Sequence, residues 1–251
     1  MKYNKENPLR CFFAFEGYNS QGLALERVKK RIPGFEWTCV GRSEIDKWAI
    51  QAANSIFPQY ADRNYGDISQ INWEEVPDFD LFTFSSPCQD FSNAGLQRGG
   101  EEGSGTRSSL LWECRKAIEA KRPKYLLLEN VKALVSKKFA PTFLKWLAVL
   151  EDLGYTNYFQ VLNAKEHGVP QNRERVFCVS ILGEHKPYHF PEPVPLTIRL
   201  KDILEEEVDD KYVLSETAIQ GFLKHNENHK AKGTGFLWIP KDVDSPGGAD
   251  C

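Results

Sequence analysis

The sequence lacks the patterns that mark membrane, secreted and metal-binding proteins. No apolar run approaches the ~20 residues that a membrane-spanning helix needs. The polar start MKYNKENPLR leads directly into CFFAF, without the apolar core of a signal peptide. The six cysteines form no CxxC pair, and neither HExxH nor a cysteine–histidine zinc spacing occurs. These absences predict a cytoplasmic protein with reduced thiols and no bound metal.

An excess of charge of one sign is also missing. The chain carries 32 Lys and Arg against 35 Asp and Glu, for a net charge of −3. The acidic surplus lies in residues 186–251, which leaves residues 1–185 close to neutral. A self-sufficient DNA-binding protein usually has a clear basic surplus somewhere. With 41% hydrophobic residues in 251, the chain can nevertheless form one sizeable core.

What is present is an alternation of short apolar runs with segments of helical period. Strands are predicted at 11–15, 37–40, 80–84, 125–128, 159–163 and 176–182, and helices at 23–32, 46–56, 109–120 and 143–153. Because most of the strands are apolar on both faces, the pattern predicts an α/β fold with a doubly wound, mostly parallel sheet. Ligands bind such sheets at the carboxyl ends of the strands, so polar residues that follow a strand are the candidates for chemistry.

The composition of the chain changes after residue 183. The segment HKPYHFPEPVPLTIRL is rich in proline and reads as a connection that leaves the first domain. The acidic remainder has one predicted helix, from 215 to 225, and is too polar for a convincing core of its own. We therefore predict a first domain of residues 1–185 and a second region of residues 186–251.

Three early segments end in residues that suit a nucleotide-like ligand. FAFEGYNSQGLALER places Gly17 in a strand-to-helix turn, although the dinucleotide pattern GxGxxG is absent. Glu44 follows the second strand, where it could accept ribose hydroxyls or complement the dipole of the next helix. Asp67, in YGDISQI, could hold an exocyclic amine or serve as an ordinary turn residue. These alternatives stay open from the residues alone.

The segment FDLFTFSSPCQDFSNAG presents a cysteine in an unusual setting. Most free cysteines are small buried apolar residues, but Cys88 follows a strand and Pro87 and enters a polar loop. A thiol with its ordinary pKa near ~8.5 is only a few per cent thiolate at neutral pH. A nucleophilic Cys88 therefore needs an acid or a cation from elsewhere in the chain.

Two later segments can supply such groups. YLLLENVKAL ends a buried strand in Glu129 and Asn130, where the carboxyl could act as an acid or cap a helix. HGVPQNRERVFCVSIL places Gln171, Arg173 and Arg175 at alternating positions that lead into a strand. The two arginines are expected on one face, where they could bind an anion or a carbonyl oxygen, or form structural ion pairs.

Taken in order, the blocks FxGxxxxG, EID, GDI, PCQ-DFS, ENV and QNRER resemble the cytosine-C5 DNA methyltransferase family. The resemblance spans roughly residues 11–182, with PCQ and ENV followed by QxRxR as its most specific part. It implies a Rossmann-like fold that uses S-adenosylmethionine as methyl donor. The implied substrate is a cytosine flipped out of double-stranded DNA, and the implied roles are DNA methylation and restriction-modification.

The resemblance also assigns roles to residues. Cys88 would add to C6 of the cytosine, Glu129 would protonate N3, and Arg173, with Arg175, would hold the cytosine carbonyl. Substrate contacts are expected from Gln89, Asn130 and Gln171. On the donor side, Phe15 would stack on adenine, Glu44 would bind the ribose, Asp67 would bind the adenine amine and Gly17 would approach the amino-acid end. The remaining donor contacts expected are Ile45, Ile68, Pro87 and Leu110.

Residues 186–251 lack a recognisable recognition domain and the family's last motifs. They resemble only the entry into such a domain, so the chain is expected to be incomplete on its own in a bacterial or phage-infected cell. It would be either one subunit of a split enzyme, with a second polypeptide that carries the missing parts, or a truncated product. Two alternatives share part of this resemblance. One is an RNA enzyme related to the tRNA cytosine-C5 methyltransferases, and the other is a catalytically inactive, methyltransferase-like lobe.

Overall fold

The computed structural model describes residues 2–87, 110–233, 238 and 243–244, together with the backbone of 249–250. The chain divides into two compact units. The sheet unit comprises Met1–Leu162 and Glu174–Phe190, and the C-terminal unit comprises Asn163–Arg173 and Pro191–Cys251. The predicted division after residue 185 stays a prediction. The sequence pattern gave no indication that residues 163–173 group with the C-terminal residues.

The sheet unit contains a six-stranded sheet with the order β2-β1-β3-β4-β7-β5. Its strands are β1 (Leu9–Ala14), β2 (Trp37–Ser43), β3 (Leu81–Phe84), β4 (Tyr125–Val131), β5 (Tyr155–Asn163) and β7 (Glu174–Leu182). Its helices are α1 (Ser20–Arg31), α2 (Lys47–Ile56), α3 (Leu111–Lys121) and α4 (Ala140–Asp152). The β1–β2, β1–β3 and β3–β4 pairs are parallel, whereas β7 runs antiparallel to β4. The predicted α/β class with a mostly parallel sheet is therefore confirmed.

The strands form where the sequence buries apolar side chains on both faces. Phe12 and Phe13 point to opposite faces of β1, and both are fully buried. Phe12 packs among aromatic rings on one face, and Phe13 contacts the edge of the Trp37 ring on the other. Burial on both faces is what a central parallel strand requires, because helices cover the two sides of the sheet.

Strand β2 runs three residues beyond its predicted end. The extension includes Gly41, where an added Cβ would lie 2.5 Å from the Phe12 ring, so only glycine fits against that side chain. It also includes Arg42, which is 1% exposed. Pattern rules exclude a buried arginine from a core strand, and the extension could form only because Arg42 finds an acidic partner inside the unit.

The strand order reverses at β1, which lies between β2 and β3. In a parallel sheet this reversal opens a crevice beyond the carboxyl ends of the two central strands. The register aligns Ala14 with Phe84, and Phe84 in turn with Leu128 on β4. The residues just after these three positions therefore emerge at one edge of the sheet.

The C-terminal unit contains the short parallel pair β6 (Gln171–Asn172) and β8 (Ala249–Asp250), and the helix α5 (Glu216–Lys232). The hydroxyl of Ser215 accepts a hydrogen bond from the Ala218 N–H and so caps α5. The helix runs past its predicted end at 225, because no glycine or proline lies between that residue and Gly233, which ends it at a φ of +62°. Across the residues that the structure describes, no helix has the length and apolar character to cross a membrane.

Candidate functional site

A cavity of about 460 Å³ opens where the carboxyl ends of β1, β2 and β3 meet. Its lining consists of Phe15, Ser43, Glu44, Ile45, Asp46, Gly66, Asp67, Ile68, Pro87 and Leu110. The volume lies within the range of small-molecule sites. Seven of the eight predicted donor contacts are in this lining, and Gly17 is not.

Phe15 lines the cavity from a strained backbone position. Its φ is +55°, a left-handed conformation that costs a non-glycine residue about 1–2 kcal/mol. The Phe15 N–H donates to the Ser43 carbonyl at 2.8 Å, and the Ser85 hydroxyl donates to the Phe15 carbonyl at 3.2 Å. These bonds tie the end of β1 to the neighbouring chain segments, and so hold the turn that carries the Phe15 ring.

Glu44 is held at the cavity wall by backbone amides. Its Oε1 accepts hydrogen bonds from the N–H groups of Ile45 and Asp46, and its Oε2 accepts one from Gly17 at 3.0 Å. The Asn64 side chain fixes the backbone of Glu44 from both sides, since it accepts from the N–H and donates to the carbonyl. Gly17 thus orients Glu44. Oε2, which accepts a single hydrogen bond, keeps a lone pair for a ligand hydroxyl.

Asp67 is a turn residue that also lines the cavity. Its Oδ1 accepts hydrogen bonds from the N–H of Ser69 at 2.9 Å and the hydroxyl of Ser69 at 2.8 Å, as a turn residue would. The same side chain belongs to the cavity lining. Together with Glu44 and Asp46 it makes this wall acidic, and an acidic wall favours a cationic ligand.

Asn19 lies in the turn that follows β1 and supports the start of α1. Its φ is +65°, a left-handed value that asparagine tolerates better than most residues. Its side chain accepts the N–H of Gly22 at 2.7 Å and so caps α1. An added Cβ on Gly22 would lie 2.7 Å from the Asn19 oxygen, so this cap also requires glycine at position 22.

A buried ion pair lies next to the cavity-lining residues, and the sequence reasoning missed it. Arg42 donates to the Glu16 carboxylate at 2.7 Å, with side chains that are 2% and 0% exposed. The guanidinium also donates to Asn54 and to the Ala61 carbonyl. Burial raises the pKa of Glu16 from 4.5 to about 7, against the opposing influence of Arg42. The signal available in the sequence was two charges directly beside apolar strand residues.

The Glu16 pKa predicts a pH dependence of stability. The folded chain holds the Glu16 proton up to about pH 7, whereas the unfolded chain loses it near 4.5. The folded state binds the extra proton between these values, so the free energy of unfolding falls as pH rises, by about 3 kcal/mol from this group. The free energy of unfolding, measured with urea between pH 4.5 and 7, should decline in the wild type. In Glu16→Gln most of this decline should be absent. Glu36→Gln, at an exposed pair with Lys29, is the control, and equal slopes for all three proteins would contradict the assignment.

A second cluster lies where β4 ends. Glu129 follows Leu128, and its Oε1 lies 3.2 Å from the Nε of Arg175 on the antiparallel neighbour β7. The Glu129 side chain is 30% exposed and that of Arg175 is 17% exposed, so the pair is within reach of a ligand. The structure therefore brings together two of the predicted catalytic side chains.

Asn130 is placed differently from the prediction that it contacts substrate. Its side chain is 2% exposed and donates to the carbonyl and hydroxyl of Ser86, at 3.2 and 3.4 Å. Its carbonyl oxygen accepts the N–H of Val131. With these bonds Asn130 anchors the end of β3 directly before Pro87, and so fixes the point from which the chain enters the PCQ segment.

The remaining predicted residues divide as follows. Cys88 and Gln89 lie outside the described residues. Strand β7 begins at Glu174, directly after Arg173, and Arg173 is grouped with the C-terminal unit. The expectation that Arg173 and Arg175 share one face stays a prediction. The Arg173 N–H donates to the Asn163 side chain, and the Arg173 carbonyl accepts the N–H of Ala164. Gln171 begins β6 and pairs with Ala249.

Residues 12–245 match the family of the C-5 cytosine-specific DNA methylases. The chain belongs to this family. The predicted resemblance is thereby confirmed over a longer stretch than the six motifs covered.

Two relatives of this cytosine methylase are Type II methyltransferases from bacteria. M2.ScrFI of Lactococcus lactis subsp. cremoris is 50% identical over 90% of this chain and 77% of its own length. M.NlaX of Neisseria lactamica is 37% identical over 79% of this chain and 62% of its own length. The chain thus spans about three fifths of the length of M.NlaX.

The fold is also shared with a solved structure. The Dnmt2 methyltransferase of S. pombe superposes with a TM-score of 0.70, covering 95% of this chain and 70% of that one. The two sequences are 21% identical, so the likeness concerns the fold alone.

Proposed function

We propose that this protein transfers a methyl group from S-adenosylmethionine to C5 of cytosine in DNA, through a covalent bond between Cys88 and C6. Family membership supports the reaction class. The observation that carries the mechanism is the geometry at the sheet edge, where Glu129 lies one residue beyond the Phe84–Leu128 pair and Asn130 binds Ser86, two residues before Cys88.

The cavity suits the methyl donor. Phe15, Ile68 and Leu110 offer an aromatic and apolar surface to an adenine ring. Glu44 would bind the ribose hydroxyls through Oε2, and Asp67 would bind the adenine amine. The acidic wall complements the positive sulfonium and ammonium groups of the donor. When bound, S-adenosylmethionine supplies an electrophilic methyl group, and no metal is needed for this chemistry.

The chain's own residues would then carry out the addition. The Cys88 thiolate bonds to C6 while Glu129 gives a proton to N3, so the electron pair released at C5 can take the methyl group. The methyl transfer leaves S-adenosylhomocysteine. The C5 proton then leaves to a base, the N3 proton returns to the Glu129 carboxylate, and expulsion of the Cys88 thiolate restores the aromatic ring. Arg175, with Arg173, would hold the cytosine carbonyl oxygen. The cytosine must leave the helix, because neither face of a stacked base is accessible.

The other cysteines that the structure describes do not suit the role of nucleophile. Burial raises the pKa of the thiol of Cys39 to about 12 and that of Cys178 to about 11. It also raises the pKa of Cys11 and Cys114 well above the ordinary value. A thiol that stays protonated is a poor nucleophile, which supports Cys88 as the reactive one.

The reaction is tested by transfer of a tritiated methyl group under single-turnover conditions with the chain in excess. Mixed-sequence DNA and tRNA are offered in parallel, and digestion identifies the methylated base. We expect label in 5-methylcytosine from DNA. Label confined to tRNA would support the RNA alternative instead, and no label on either, with S-adenosylmethionine bound, would support the inactive lobe.

Glu44→Gln is expected to weaken the binding of S-adenosylmethionine by about 10- to 100-fold, because charge-assisted hydrogen bonds to the ribose are lost. Isothermal titration calorimetry measures the dissociation constant. Asp62→Asn removes an acidic side chain that is 80% exposed and should leave this constant unchanged. Equal affinities for wild type and Glu44→Gln would remove Glu44 from the donor site.

We also propose that sequence selection depends on a second polypeptide. The chain has no basic surplus of its own, with 32 Lys and Arg against 35 Asp and Glu. DNA affinity rests largely on contacts between basic residues and phosphates. The chain alone is therefore expected to methylate DNA weakly and without preference among cytosine contexts. Strong labelling confined to one sequence would refute this part of the proposal.

A further inference from the structure

The two predicted catalytic arginines are held in different ways. The Arg175 side chain is fixed by its contact with Glu129 at 3.2 Å and by a hydrogen bond to the Glu174 carbonyl at 2.8 Å. The Arg173 guanidinium has no hydrogen-bonding partner within the part of the chain that the structure describes. Its position is set by its backbone, so whatever fixes that backbone sets the point from which the side chain extends.

Asn163 provides that fixation. Its side-chain oxygen accepts the N–H of Arg173 at 3.1 Å and the N–H of Lys165 at 3.3 Å. The Arg173 carbonyl accepts the N–H of Ala164 at 3.0 Å. Both polar backbone groups of Arg173 are therefore bound to one two-residue stretch, Asn163 and the residue after it.

The NH2 group of the Asn163 side chain adds a further bond, to Asn172. Its Nδ2 donates to the side-chain oxygen of Asn172 at 2.8 Å. Asn163 is 8% exposed, so these bonds are largely shielded from water. The residues between, 164–172, form a loop whose two ends are joined by this single side chain.

We propose that Asn163 is a positioning residue for the reaction, which acts by holding the Arg173 backbone in place; the inference rests on the proposed function of Arg173. An arginine that binds a flipped base must present its fork at a defined point, and small displacements of a catalytic group cost large factors in rate. Asn163 makes no contact with substrate in this role. It acts through Arg173.

Two substitutions separate positioning from folding. Asn163→Ala removes the acceptor for the Arg173 N–H, and we expect kcat to fall by about 10- to 100-fold with the affinity for S-adenosylmethionine unchanged. Asn163→Asp keeps the acceptor oxygens, and a turned Asn172 amide can donate to it, so activity should return to within a few fold of wild type. Asn157→Ala is the control. That residue lies on the same strand and donates to the Leu147 carbonyl, and its loss should leave kcat unchanged.

A double-mutant cycle with Arg173→Ala shows whether the two residues act as one. If Asn163 acts through Arg173, the double variant should be no slower than Arg173→Ala alone. A multiplied loss, or an Asn163→Ala enzyme with wild-type kcat, would overturn the proposal.

Amide hydrogen exchange tests whether Asn163 holds the Arg173 backbone, and it does so without a measurement of catalysis. Asn163→Ala should speed exchange across residues 164–173 and leave the strands of the sheet unit protected. This experiment distinguishes a failure of the proposed function from a failure of the Asn163 contact. Inactive wild type with faster exchange in the variant would count against the proposed function and for the Asn163 contact, whereas unchanged exchange would count against the contact itself.

Discussion

Methyl transfer is expected to fall by about four orders of magnitude or more when Cys88 is replaced with serine. The proposed reaction begins with a sulfur–carbon bond at C6, and a serine hydroxyl is almost fully protonated at neutral pH and is a far weaker nucleophile than a thiolate. Loss of a covalent nucleophile typically removes nearly all of the chemical step. Single-turnover transfer of a tritiated methyl group to DNA measures the rate constant directly.

The matched control is Cys251→Ser, which makes the same substitution at the last cysteine of the sequence. It should transfer methyl groups at the wild-type rate. Cys88→Ser should still bind S-adenosylmethionine, because the cavity lining includes Pro87 but its hydrogen-bonding groups come from other segments. A Cys88→Ser protein that keeps more than about a tenth of the wild-type rate would be incompatible with covalent catalysis.

The second large effect is expected at Glu129. Glu129→Gln keeps the shape of the side chain and a possible hydrogen bond to the cytosine ring, but it cannot deliver a proton to N3. Loss of a general acid costs about 10²- to 10⁴-fold, and we expect kcat to fall by that amount with little change in DNA affinity. The measurement is the single-turnover rate at saturating DNA, together with the DNA dissociation constant.

Glu174→Gln is the matched control for this change. Glu174 also pairs with a basic residue across the same two chain segments, since Lys132 lies 2.9 Å from its carboxylate. That pair is about half exposed, and such pairs contribute little. A loss of rate in Glu174→Gln equal to that in Glu129→Gln would point to disruption of the strand pair, and away from a proton transfer by Glu129.

The sequence predicted the fold because the signals for it are local. Strand β4 begins with the apolar run YLLL, which predicted it over 125–128. Helix α2 begins where Asp46 can cap it with bonds to the N–H groups of Trp48 and Ala49. The rule that ligands bind at the carboxyl ends of parallel strands then gathers Glu44 and Asp67 at one edge. Both side chains do line the same cavity.

The contacts that hold the site in place could not be predicted in the same way. Arg42 meets Glu16 across 26 positions of the chain, and Asn64 meets Glu44 across 20. Such pairs depend on how the loops between the two residues fold back. The presence of a polar residue in the sequence does not show which residue it will bind. Asn130 shows the same limit, since a buried amide and a substrate-binding amide are identical in sequence.

The most direct test of the account is the covalent bond itself. The chain is incubated with S-adenosylmethionine and duplex DNA in which 5-fluorocytosine replaces cytosine throughout, so that no recognition sequence needs to be known. Fluorine at C5 cannot leave as a proton does, and the adduct should accumulate. Mass spectrometry of the digested protein is expected to find the methylated fluoropyrimidine on the peptide that contains Cys88. Labelled product without any attached base, or a base attached to another cysteine, would contradict the account.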